Sequence, residues 1–258
     1  MKKPRVISNR DTNVRALTPN KEKNIIPDTT KKTIKEENKI PPKDTLDSEI
    51  LEYNGPQGEL LNQIEARFLE VADLKVNLSY RNVTEGAQVE TDKEKSDKHG
   101  EVFTPLNLVD KMLDRITPHD WKKPALTTFD LCTGYGQFTV RMLRRRYHYL
   151  GEALGIAKVL SEYHLMAEIQ PSSCFKLLYI FGSQIRLLIG DASKMGELPD
   201  TAEHGIWVYN KEKWEDRTNM IVFMYNKYYE GPNPITEKAE AFEKKFNSLK
   251  TLCEKKEK

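Results

Sequence analysis

The sequence predicts an α/β domain with a doubly wound, mostly parallel sheet, preceded by a disordered basic arm. Three observations carry that prediction. Short apolar runs of strand character alternate with segments of helical period through residues 99–230. The first of these runs, ALTTFDL, passes through a glycine-containing turn, CTGYGQF, into a helix, the order in which a strand of such a sheet hands over to its crossover helix. Residues 1–50 contain no aromatic residue and show no strand or helix periodicity.

Composition sets the bounds. Of 258 residues, 38% are hydrophobic and 31% charged, polar for a globular protein but too rich in apolar runs for a wholly disordered one. The formal charge of +2 hides a split: ahead of Glu36 stand ten basic residues against three acidic ones, so the arm is strongly positive and the remainder net acidic. Such an arm suits either a nucleic-acid tether or a solvated leader. Cys132, Cys174 and Cys253 are odd in number and far apart, which fits neither a disulfide framework nor a zinc site, so no metal is expected and a reducing cytoplasm is. The most apolar stretch, LLYIFGSQIRLLI, is interrupted by Gln184 and Arg186, and the N-terminus has no apolar signal region; a soluble protein with no membrane partner is expected.

Taken in order, residues 51–98 read as a helix and a polar linker. Leu60, Leu61, Ile64, Phe68 and Val71 recur at helical spacing after a turn at Gly55-Pro56, and the polar run RNVTEGAQVETDKEKSDKHG follows. In HGEVFTPLNLVDKMLDRITP, Thr104 is placed as an N-cap with Pro105 at the first helical position, and Pro118 ends the helix. After the glycine turn comes a helix with Val140, Met142 and Leu143, then strands YHLMAEI, IRLLIGDA, GIWVYN and MIVFMYN, with the helical SSCFKLLYIFG between the first two. Residues 231–258 form an amphipathic helix with a stripe of Phe242, Phe246, Leu249 and Cys253.

The chemistry concentrates in DLCTGYGQFTV, residues 130–140. A carboxylate at the end of a strand, followed by Gly134 and Gly136, lets backbone approach a ligand while the acid accepts its hydrogen bonds. No GK[ST] follows, which excludes a phosphate-cradling P-loop, and the dinucleotide pattern would need glycine where Thr139 stands.

These residues resemble the S-adenosylmethionine-dependent, adenine-specific DNA methyltransferases of restriction-modification systems, including their phage and plasmid relatives. DLCTGYGQF is similar to that family's first motif, and HGEVFTP, about 30 residues upstream, resembles the segment that packs over the cofactor's methionine end. The resemblance implies a Rossmann-like methyltransferase sheet and S-adenosylmethionine as cofactor. It implies that Asp130, with the backbone of Gly134 and Gly136, holds the cofactor's amino-acid end, that Phe138 packs behind the turn, and that Thr104 and Pro105 close the pocket. Glu168 then accepts the ribose hydroxyls and Asp191 the adenine amine. The gap from Asp130 to Glu168 is long for a minimal unit, and the run RRRYHYLGEALGIAK is expected to absorb the excess as a loop or extended helix.

The family's catalytic tetrapeptide, [DNS]PP[YF], is absent. Two degenerate candidates stand in for it: Asn210, 19 residues after Asp191 at the end of GIWVYN, and Asn226 with Tyr229 after MIVFMYN. Both asparagines also read as ordinary turn residues. Arg141, Arg144, Arg145 and Arg146 are candidates for phosphate contacts, or a plain basic helix face. DNA is the expected partner, with specificity expected from a partner subunit or from a very small module, because little chain remains after Asn226. The resemblance thus implies methyl transfer to the exocyclic amine of adenine, a base flipped from the duplex to be reached. The alternative is a methyltransferase-fold module without catalysis, acting as a DNA-binding or protein-interaction subunit.

Overall fold

A computed structural model of the chain describes residues 55–72 and 104–255. The expected disordered arm, the polar linker and HGEVF lie outside the described residues.

Helix α1, Gly55–Ala72, buries Leu61, Ile64, Phe68 and Val71, the stripe its sequence predicts. Its N-terminus is capped from a distance: the backbone N–H groups of Gln57 and Gly58 each donate to the Glu152 carboxylate at 3.0 Å, where the positive end of the helix dipole favours an anion. Helix α2, Leu106–Leu113, starts one residue later than expected, with Pro105 in the cap position and no side-chain cap from Thr104. Pro118 does not merely end that segment. It opens a short turn, α3 (Pro118–Trp121), capped by Thr117, whose side chain accepts the Asp120 N–H.

The central unit then follows as β1 (Thr128–Asp130), the glycine turn, and α4 (Gln137–Leu150). After α4 the chain runs through a 3₁₀ turn (Gly151–Leu154), a single helical turn α5 (Ile156–Lys158) and a π-helical turn (Val159–Tyr163) before β2 (His164–Glu168). This irregular helical run accounts for the long Asp130–Glu168 gap. Helix α6 (Pro171–Phe181) leads to β3 (Arg186–Ile189), a 3₁₀ segment (Ala192–Glu197) to β4 (Ile206–Asn210), and a tight turn to β5 (Lys213–Asp216). Helices α7 (Thr218–Tyr229) and α8 (Ile235–Lys255) close the fold.

MIVFMYN is therefore part of a helix, not a strand. Its buried residues, Ile221, Met224 and Tyr225, fall at helical spacing, and Asp216 accepts both the N–H (2.9 Å) and the hydroxyl (2.7 Å) of Thr218 at the helix start.

The five strands lie in the order β1-β2-β3-β4-β5, with β1 to β4 parallel and β5 antiparallel. The result is an α/β structure with a mostly parallel sheet, but among the described strands the order never reverses across β1, as a doubly wound sheet requires. The β3–β4 connection returns the chain beside β3 instead of carrying it back over β2 and β1. Met166, Leu187, Ile189, Ile206 and Val208 face the main core, which α4 and α6 share with α1, α2, α7 and α8. The β3–β4 connection instead covers the other face: Trp214 Nε1 donates to the Lys194 carbonyl (2.8 Å), over a small cluster of Leu165, Ala167, Leu188 and Trp214. Since all three parallel connections step the same way along the sheet, this one has the opposite hand to the two helical crossovers, a rare arrangement. It leaves Phe129, on the same face of edge strand β1, 58% exposed. Among the described residues no helix is long and apolar enough to cross a membrane.

Candidate functional site

The parallel register aligns the ends of β1, β2 and β3, pairing Asp130 with Met166 and Glu168 with Ile189. Ligand sites in parallel sheets form outside these carboxyl ends, where backbone leaves the sheet and its hydrogen-bonding groups are free. Here the turn after β1 is stapled to β2. Thr133 N donates to the Ala167 carbonyl (3.1 Å), and the Thr133 hydroxyl lies within hydrogen-bonding distance of the Asp130 (2.8 Å) and Ala167 (3.2 Å) carbonyls. Gly134 N donates to Glu168 Oε2 at 2.9 Å, while Glu168 Oε1 accepts the N–H of Gln170 at 2.8 Å. Glu168 thus holds the two strand-end loops together at their junction.

Gly134 and Gly136 have φ of 54° and 87°, left-handed conformations that favour glycine. At Gly136 there is a second constraint, because a Cβ would lie 2.6 Å from the Phe181 ring. Gly136 sits at the N-cap of α4, so the helix N-terminus opens beside the Asp130 strand end. Phe138 is half-buried against the main core behind the turn.

Asp130 is desolvated, which pushes its carboxyl up to about 6 against the hydrogen bonds from Thr139 and the Cys132 backbone that favour the ion. The Cys132 thiol is pushed up first by burial and then by Glu168, Asp130 and Asp191, so all three predicted carboxylates converge on that turn. Asp191 is exposed and caps the next 3₁₀ segment by accepting the Ser193 N–H (2.9 Å); that bond holds its carboxyl below the usual range. Leu131 (42% exposed) and Ile169 (53%) give the site an apolar surface beside the acids. Thr104 and Pro105 are half-buried ahead of α2, which is anchored to α4 through Asp110.

The catalytic candidates are not brought to the Asp130 end of this site, although Asn210 ends the strand next to β3. Asn210 is three strands from β1, roughly 14 Å at the usual strand spacing, and it opens the β4–β5 turn, paired with Lys213. Asn226 and Tyr229 lie on α7. The Tyr229 ring is 6.0 Å from that of Tyr179, which stands eight residues along α6 from the pocket end, about 12 Å at the helical rise.

The four arginines are not available to phosphates either. Arg141, Arg144, Arg145 and Arg146 are all buried. Arg141 and Arg145 bind Asp110, Arg145 also binds Asp114 (2.5 Å), and Arg146 donates to the carbonyls of Leu126, Lys123 and Pro124. Arg141, Arg145 and Arg146 tie α2 and the segment before β1 to α4.

Sequence reasoning missed a buried polar chain beneath the turn, formed by Thr128, His164 and Thr139 leading to Asp130. The available signal was a histidine at the head of an otherwise apolar buried strand. Comparisons with family models, with curated proteins and with solved structures find no match to this chain.

Proposed function

We propose that the chain binds S-adenosylmethionine at the carboxyl ends of β1, β2 and β3, in the manner of the adenine-specific DNA methyltransferases, and that this site serves methyl transfer to the exocyclic amine of adenine. The observation that supports this most is the joint geometry of Asp130 and Glu168 on neighbouring parallel strands, linked through the Gly134 N–H to Glu168 at 2.9 Å. The residues present suit the cofactor. Asp130 offers a carboxylate to a cationic amino group, the positive-φ glycines bring backbone N–H groups close to its carboxylate, and Glu168 is the acidic side chain at the neighbouring strand end, the residue type that vicinal hydroxyls require. Asp191 offers an acceptor to an adenine amine, and Leu131 with Ile169 an apolar surface to a purine. The cofactor supplies an electrophilic methyl group; the chain's own part is to orient it.

A second reading, a methyltransferase-like module that binds cofactor without transferring it, is favoured by the placement of Asn210 on a hairpin and Asn226 on a helix. Calorimetry tests the site: wild type binds S-adenosylmethionine, Asp130→Ala loses at least a hundredfold in affinity, and Asn210→Ala keeps it. Equal affinity in wild type and Asp130→Ala would remove the assignment. Incorporation of labelled methyl into unmethylated DNA by the chain alone decides for the first reading over the second.

A further inference from the structure

We propose that Thr128, His164 and Thr139 form a proton-ordered relay that fixes the Asp130 carboxylate, so that the charge on Asp130 sets which ring nitrogen of His164 carries the hydrogen. The importance of this for a cofactor rests on the reading of Asp130 given above; the relay itself does not.

The chain is continuous and short. Thr128 Oγ1 lies 2.8 Å from His164 Nδ1, His164 Nε2 lies 2.8 Å from Thr139 Oγ1, and Thr139 Oγ1 donates to Asp130 Oδ2 at 3.1 Å. His164 and Thr139 are fully enclosed, so water cannot substitute for either partner. Each hydroxyl and the neutral ring have one proton to give. With Asp130 ionised it can only accept, so Thr139 spends its proton on Asp130. Thr139 must then accept from His164 Nε2–H, and Nδ1, left without a proton, accepts from Thr128. One order satisfies every group.

Protonating Asp130 reverses it. Thr139 passes its proton to Asp130 and takes the one on Nε2, Nδ1 takes the Thr128 proton and solvent replaces it, so that the carboxyl O–H now donates to Thr139, Thr139 to Nε2 and Nδ1–H to Thr128. The Thr128 hydroxyl is then released to solvent, which is possible because it sits half-buried on edge strand β1. The proton count balances: one proton enters from solvent at Thr128, the net gain is on Asp130, and the ring is neutral before and after. Its neutrality is enforced by burial and by the Arg146 cation, which together push His164 down to about 3. The other titratable groups at this turn are Cys132 and, acting with Asp130 on its thiol, Glu168 and Asp191. None of these appears in the chain of hydrogen bonds.

Thr139 stands where a dinucleotide-binding turn has its third glycine. The hydroxyl explains what this chain does with that position: it trades close helix packing for an oriented acid.

The test is long-range nitrogen–proton NMR of the histidine rings in the full ¹⁵N-labelled chain, with His164 assigned by its loss in His164→Gln. At pH 7.5 the ring is expected as the Nε2–H tautomer, passing to Nδ1–H as pH falls through the Asp130 titration. Thr139→Val should abolish the pH-linked change, and Thr139→Ser should retain it. A ring that keeps one tautomer from pH 7.5 to 5, that becomes an imidazolium there, or that still switches in Thr139→Val would overturn the relay. Adding S-adenosylhomocysteine at pH 5.5 should draw the ring back to Nε2–H. A pH-driven switch that S-adenosylhomocysteine leaves unmoved keeps the relay and removes the cofactor reading; binding without any switch does the reverse.

Discussion

At β1 and β2, acidic residues end their strands above a glycine turn, and the chain leaves by a helix. At β4, Asn210 also ends a parallel strand on a polar side chain, yet the chain turns straight back through Lys211 and Glu212 into β5. The contrast shows that a polar strand end is not by itself a site. A crossover helix carries the chain away below the sheet and leaves backbone N–H groups facing outward, whereas an antiparallel return uses the same groups in its own ladder. Asn210 pairs with Lys213 and its side chain bonds Glu215, helping to hold that carboxyl below its ordinary range. Its backbone and its bond to Glu215 belong to the hairpin, while its Oδ1 is buried without a hydrogen-bond partner among the described residues.

The largest expected effect separating the two ends is acid sensitivity. His164 has a folded pKa near 3, below its ordinary 6.5, so its contribution to stability is complete above 6.5 and lost as pH falls toward 3. Asp130 works the other way: raised to about 6, it favours the folded state below its ordinary 3.8, and that gain is lost as pH rises through 6. At about 1.4 kcal/mol per pH unit the histidine contributes on the order of 5 kcal/mol and the aspartate about 3 in the opposite sense. Denaturant unfolding of wild type from pH 7 to 4 should therefore show a shallow slope from this pair. Asp130→Asn removes the offset and should steepen the acid loss, while Lys211→Asn, at the hairpin turn, should leave the slope unchanged.

Gly136→Ala should come next, destabilising by about 3 kcal/mol through an unfavourable positive φ and overlap with the Phe181 ring. Chemical denaturation measures it, and a loss under 1 kcal/mol would mean that the turn repacks freely. Asp110→Asn should cost about 2 kcal/mol by leaving the buried Arg141 and Arg145 guanidinium groups poorly compensated. Because α4 carries the glycine turn at its head, this loss should weaken cofactor affinity as well as stability, with no change in the hairpin's amide exchange.

Much of the β1–β2 end was legible. Strand, glycine turn and helix have a local pattern, and Glu168 and Asp191 follow apolar runs too short for helices. The arginines were not legible, because Asp110, which buries two of them, is 31 residues before Arg141 and nothing in RMLRRRYHYL announces it. Nor was the sheet order, since local periodicity identifies a strand without saying which edge it joins. MIVFMYN is apolar almost throughout, so it has no face by which to choose a period; the Asp216–Thr218 cap just before it was the missed signal. β5 has four residues, three of them charged, and is a strand only because β4 pairs with it.

The smallest effect tests the hairpin end directly. Lys211 and Glu212 have φ of 45° and 67°, positive values at both central positions of a two-residue turn, which is the geometry that twisted antiparallel strands require. The natural residues pay for it in left-handed strain, because a Cβ crowds the following carbonyl there and neither side chain is an asparagine or glycine. Replacing the pair by Asn-Gly should relieve that strain and raise stability by about 1 kcal/mol, the lower bound of the left-handed penalty summed over two residues and reduced by the entropy glycine adds to the unfolded chain. Thermal unfolding would show it as an increase of a few degrees. S-adenosylmethionine affinity should not move, because no strand linking the turn to Asp130 changes register. A variant that gained stability and lost affinity would show that the two ends of the sheet are coupled, and that the hairpin has a part in the site after all.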